Sequence, residues 1–114
     1  MSCGLGRNSY YLGSMQKSKT SNEWEKQLPD LCNAFLSMKT VSECKRFLRD
    51  LCTITEIQAM TERWQAARMI KRGIPYRQIA RETGISTATI TRVAAWLKDG
   101  ENGYVIALKR TSKH

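Results

Sequence analysis

The chain has 114 residues, 41% of them hydrophobic, which leaves room for one modest core and one domain. Nineteen Lys and Arg against ten Asp and Glu give a formal charge of +9, a balance that favours a polyanionic partner. No apolar run approaches a bilayer-spanning length, no signal-peptide core precedes a cleavage site, and no His, Cys or carboxylate constellation has catalytic spacing, so a cytoplasmic protein that is neither membrane-bound nor an enzyme is expected.

Residues 1–20 (MSCGLGRNSYYLGSMQKSKT) are rich in Gly, Ser and Lys without helical periodicity; they read as a disordered leader, with Met15 a candidate start and no function assigned. A single all-helical domain is expected over 21–110. Its first helix is signalled by Asn22 with Glu25, the spacing of a capping box, and by Trp24, Leu28, Leu31, Phe35 and Met38 at helical intervals. Pro29 leaves two forms open, a helix that bends there or one that begins near Asp30 with Pro29 in its first turn. Thr40 with Glu43 opens a second helix, striped by Val41, Cys44, Leu48 and Leu51. Thr53 with Glu56 opens a third, which runs through Ile57, Met60, Trp64 and Ala67 to Ile70 and ends at Gly73 after the basic pair Lys71 and Arg72. No stretch alternates with period two, so strands are not expected. Cys3, Cys32, Cys44 and Cys52 lack a C-x-x-C spacing and the one histidine is His114, which argues against a metal site; Cys32, Cys44 and Cys52 are read as core residues.

The next stretch, Tyr76 to Ala95 (YRQIARETGISTATITRVAA), has the layout of a helix-turn-helix. Two helices crossing over a short turn need small or branched apolar groups at the crossing, here Ile79, Ala80, Ile85, Ile90 and Val93. Gly84 lets the first helix end at positive φ, and Ser86 caps the second by accepting a bond from an orphan amide. Thr87, Ala88, Thr89, Thr91 and Arg92 are left on the outward side, short hydroxyl and methyl groups with one arginine that suit a major groove. An ordinary helical hairpin is the bland alternative, but the charge weighs against it. From Arg63 to Lys98 the basic residues Arg63, Arg68, Lys71, Arg72, Arg77, Arg81, Arg92 and Lys98 face the single acid Glu82. Asp99 to Gly103 then breaks the helix, Tyr104, Val105, Ile106 and Leu108 suggest a short last helix that covers the core, and a basic tail with Lys109, Arg110, Lys113 and His114 follows, its residues 111–114 beyond the domain.

The segment from Leu51 through Gly100 resembles the tryptophan repressor family, and most of all its Trp-repressor-like YerC/YecD type. The resemblance is carried by Thr53 with Glu56, Arg63, Lys71-Arg72-Gly73, Arg77, Thr89-Ile90-Thr91-Arg92 and Leu97-Lys98. It implies an all-α fold of five or six helices, an intertwined homodimer whose N-terminal helices share one core, and two helix-turn-helix units set to successive major grooves. It also implies that Arg77 reaches a base edge while Thr87, Ala88, Thr89 and Thr91 lie against bases or phosphates. Gln78, Ser86 and Arg92 complete the candidate DNA-binding set.

In ligand-regulated members of that family, tryptophan lies between two arginines that correspond to Arg63 and Arg92, beside a glycine and a serine. Here those neighbours are Val93 and Trp96, which make up the rest of the candidate effector pocket. Valine puts a branched side chain where close approach to a flat ring needs none, and Trp96 offers the protein's own indole to the space. These departures argue against tryptophan as corepressor, and no cofactor is expected. The apolar faces that carry Trp24, Phe35, Phe47 and Trp64 are wide for so small a domain and favour a partner chain over a monomer folded back on its motif. The expected function is therefore sequence-specific binding of double-stranded DNA, as a homodimer on a palindromic operator, most often to repress. A detached recognition module of a transposase or recombinase, and an adaptor whose motif binds a protein, remain as alternatives.

Overall fold

The computed structural model describes residues 22–112; the leader expected over 1–20, Lys113 and His114 lie outside them. Among the described residues there are six helices and no strand: α1 Glu23–Leu36, α2 Val41–Leu51, α3 Ile54–Lys71, α4 Tyr76–Thr83, α5 Thr87–Asp99 and α6 Gly103–Thr111. The fold is all-α, with a helix-turn-helix at α4 and α5. The chain divides into two compact units, one ending at Phe47 and the other starting at Leu48.

In the first unit α1 runs unbroken from Glu23 with Pro29 inside it, so it does not begin near Asp30. The capping box expected at Asn22 is not formed. Asn22 sits at φ −100°, ψ 9° rather than in the extended conformation that turns a cap side chain over the helix end; the Glu25 amide donates instead to the Asn22 carbonyl at 3.1 Å. At α2 the Thr40 hydroxyl accepts from the Glu43 amide at 3.1 Å, but Glu43 reaches back one residue further than a standard box, to the Lys39 amide at 2.8 Å. Phe35 and Phe47 meet edge to face with centroids 5.0 Å apart, the one aromatic pair described in this unit. No residue of α1 or α2 is buried within this chain, and Leu36 and Val41 are about four-fifths exposed at 80% and 78%. Met38, placed on the α1 stripe, lies beyond the helix end and is half-buried. The cysteines expected in the core are not there: Cys32 is exposed, and Cys44 and Cys52 are half-buried.

The second unit holds the core: Ala66 and Ala67 of α3, Ile79 of α4, Ile85 of the turn, Ile90 and Val93 of α5, and Leu108 of α6. α3 packs against α4, α5 and α6, and its two alanines let the neighbouring backbone come close, since interaxial distance follows side-chain size at the contact. Burial of a side chain such as Ile79 or Ile90 contributes roughly 1.5–3 kcal/mol. The α3 capping box forms as its spacing predicts, with the Glu56 amide donating to Thr53 Oγ1 at 3.1 Å and the Thr53 amide to Glu56 Oε1 at 2.8 Å. Its other end closes at Gly73, φ +81°, with Gly73 N–H donating to the Ile70 carbonyl and Ile74 N–H to the Met69 carbonyl, a Schellman pattern that stops α3 cleanly before Pro75. α6 caps the core through Leu108, with Tyr104 half-buried against it, while Val105 and Ile106 stay exposed.

Candidate nucleic-acid interface

α4 and α5 are joined by Gly84, Ile85 and Ser86 alone. Gly84 adopts φ +79°, ψ 1° as the sequence requires, and its amide donates to the Ala80 carbonyl at 2.9 Å. Thr83 stiffens the corner: its hydroxyl donates to the Ile79 carbonyl at 2.6 Å and accepts from the Ile85 amide at 3.1 Å. Ile85 then plugs into the core, and Ser86, extended at φ −69°, ψ 151°, accepts from the Thr89 amide at 3.1 Å as the α5 cap. The Ser86 hydroxyl also donates to Thr89 Oγ1 at 3.1 Å, which leaves the Thr89 hydroxyl its own proton to donate outward.

With Ile90 and Val93 fully buried, helical geometry turns the intervening residues out. Ser86, Thr87, Ala88, Thr91 and Arg92 are exposed, whereas Thr89 is half-buried through its contact with Ser86. On α4, Arg77 is exposed and Gln78 half-buried, with Gln78 Nε2 donating to Glu82 Oε2 at 2.8 Å. Two neighbours join these that the helix-turn-helix pattern alone does not mark as site residues. Arg81 is exposed one turn after Arg77, and Glu82 holds Gln78; both were legible as i, i+4 spacings on one short helix. Arg68, Lys71, Arg72 and Lys98 are exposed as well, so the unit carries a basic surface with small polar groups on α5.

The candidate effector residues differ in exposure. Arg63 is half-buried, Arg92 exposed, Val93 fully buried in the core and Trp96 44% exposed. An open hollow of about 640 Å³ lies between α3, the end of α5 and α6, walled by Trp64, Trp96, Asp99, Glu101 and Tyr104. Trp64 and Tyr104 stack there with centroids 6.4 Å apart and planes 7° apart. Of the four effector residues only Trp96 lines this hollow; Arg63, Arg92 and Val93 do not. Among the described residues no group of three His, Cys, Asp or Glu side chains is placed to hold a metal ion, and no helix is long and apolar enough to cross a membrane.

The family model described as Trp repressor protein matches residues 26–112, nearly all of the described chain. The chain belongs to the Trp repressor family. It is similar to the uncharacterized protein YerC of Bacillus subtilis, 48% identical over 88 residues, which span 77% of this chain and 85% of YerC. Among solved structures it is similar to a TrpR-like protein from Eubacterium eligens, at TM-score 0.72 and 38% identity over 76% of this chain and 90% of that one. A structure from Staphylococcus aureus assigned to the Trp repressors matches equally well, at TM-score 0.72 and 42% identity over 76% of this chain and 87% of that one. Membership in the Trp repressor family accounts for the all-helical fold, and for a helix-turn-helix whose two helices are fixed by one buried cluster of branched side chains.

Proposed function

We propose that this protein is a cytoplasmic transcriptional regulator that binds double-stranded DNA sequence-specifically, as a homodimer on an approximate palindrome, and represses by occupying its site. The observation that carries this reading is the outward row of Thr87, Ala88, Thr91 and Arg92 on a helix anchored by Ser86, Ile90 and Val93 amid an exposed basic surface. Short side chains let a helix enter the major groove, and cations beside it gain from counterion release. Arg77 reaches a base edge, Gln78, Thr89 and the outward α5 residues complete the interface, and the remaining lysines and arginines hold the phosphate backbone. The exposed apolar faces of α1 and α2 favour the homodimer, because a second copy would cover what this chain leaves open to water. Half-site centres then lie near one helical turn, about 34 Å, apart.

Tryptophan is not the corepressor in this reading. Val93 puts a branched side chain into the core where close approach to a flat ring needs none, and Trp96 offers the protein's own indole to the space. Neither metal nor cofactor is required.

Selection of bound sequences from a random duplex pool, with and without tryptophan, tests the whole reading. The expected result is a palindromic half-site, unchanged by the amino acid, with affinity that falls steeply as salt rises. An adaptor for another protein would leave duplexes unbound even at low salt. Arg77→Ala is expected to cost on the order of 1–3 kcal/mol on the selected site and to relax preference at one base pair; equal losses on selected and random DNA, measured by titration, would contradict its role.

A further inference from the structure

Gln78 and Glu82 lie one turn apart on α4, joined by the 2.8 Å bond from Gln78 Nε2 to Glu82 Oε2. Glu82 is the only acid between Arg63 and Lys98. A carboxylate on a surface that meets phosphates weakens binding to every duplex alike, so its presence there calls for a compensating role. We propose that Glu82 is a positioning residue that fixes the sense of the Gln78 amide, so that Gln78 offers its Oε1 acceptor to the exocyclic amino group of a base in the major groove. The proposal rests on the DNA-reading function above and specifies the chemistry of one of its contacts.

A glutamine amide is ambiguous by itself, because a half-turn of its end exchanges acceptor and donor. A carboxylate only accepts. Were the Gln78 amide turned over, Oε1 would stand against Glu82 Oε2, oxygen against oxygen, at the distance now occupied by a hydrogen bond. Nε2 therefore stays with Glu82, and Oε1 is the atom left for a partner. In the major groove adenine N6 and cytosine N4 are the exocyclic donors, whereas guanine and thymine present oxygen acceptors at the corresponding edge. Adenine is the better match of the two: Nε2 keeps a second hydrogen, and adenine N7 accepts it beside N6, which makes the contact bidentate. The half-burial of Gln78, next to the fully buried Ile79, narrows the rotamers from which the amide is presented.

The test is base selection from a random duplex pool by the full chain and by Gln78→Ala, Glu82→Ala and Glu82→Gln, each first checked for an unchanged helical spectrum and melting curve. The wild type is expected to favour adenine, then cytosine, by about tenfold at one half-site position. Gln78→Ala and Glu82→Ala should both flatten that position and no other. Glu82→Gln, whose own amide can turn to offer Gln78 either an acceptor or a donor, should lose part of the preference, while it binds all duplexes more tightly for want of the negative charge. A site in which purine, lacking the N6 amine, replaces the adenine should bind the wild type no better than the flattened variants bind their sites. The proposal is overturned if Glu82→Ala retains the wild-type base, if Gln78→Ala alters nothing, or if guanine or thymine is favoured at the affected position. Those outcomes differ from a wild type that selects no sequence at all, which would overturn the DNA-reading function itself.

Discussion

Gly84 and Gly100 end the two motif helices for different physical reasons, and the difference fixes what a methyl group would do at each. Gly84 stands at φ +79° with nothing within 4 Å of an added Cβ, so the cost of Gly84→Ala is conformational, about 1–2 kcal/mol. Asparagine, which tolerates the left-handed region, should recover part of it. At Gly100 an added Cβ would stand 2.5 Å from the Trp96 carbonyl oxygen, a backbone atom that yields only if the end of α5 distorts. Gly100→Ala should therefore destabilise more than Gly84→Ala, and urea unfolding midpoints of the two variants would show the order; the reverse order would contradict the close approach. Only the first glycine was legible in the sequence, because a reversal between two amphipathic segments demands positive φ and names its residue. Gly100 read simply as a break, since its constraint comes from a carbonyl four residues back that no local pattern reveals. The Gln78–Glu82 bond was likewise open to inspection as a helical spacing, but a tally of charges registers Glu82 as a lone exception and passes over its neighbour.

Three of the helices carry the same starting signal in sequence, a cap-forming residue followed three positions later by Glu, yet the three behave differently. Thr53 and Glu56 close both bonds, Thr40 and Glu43 close one and send the second to Lys39, and Asn22 makes no side-chain cap bond. Spacing specifies which side chains are available; the backbone at the cap decides whether they engage, and Thr53 at ψ 162° meets the requirement that Asn22 at ψ 9° does not. Thr53→Ala should accordingly cost about 1 kcal/mol in thermal or urea unfolding, and Asn22→Ala less than about 0.5 kcal/mol. Comparable losses would mean that the Asn22 cap engages in solution. Pro29 shows the same limit of local reasoning: its missing amide suggested a helix start, but α1 begins six residues earlier and carries the proline inside.

At the scale of the whole molecule, the resemblance seen between Leu51 and Gly100 extends to residues 26–112, and the all-helical fold it implied is the one found. Burial was less legible. Helical stripes mark the apolar faces of α1 and α2, but periodicity does not say whether atoms of the same chain cover them, and this chain builds no core around Cys32. If a second copy supplies that cover, sedimentation should give twice the 13.0 kDa chain mass across the micromolar range, and Trp24, 60% exposed in the single chain, should lose access to a soluble quencher on association. A stable species of single-chain mass would count against the homodimer. The corner between α4 and α5 carries a further consequence for control. Buried Ile79, Ile85, Ile90 and Val93, together with the bridging hydroxyl of Thr83, tie the two helices into one bracket. If the protein reads an operator as a homodimer, a signal that tunes affinity would move that bracket as one piece, changing its spacing from its twin rather than its internal angle, and regulation would be a matter of calliper width.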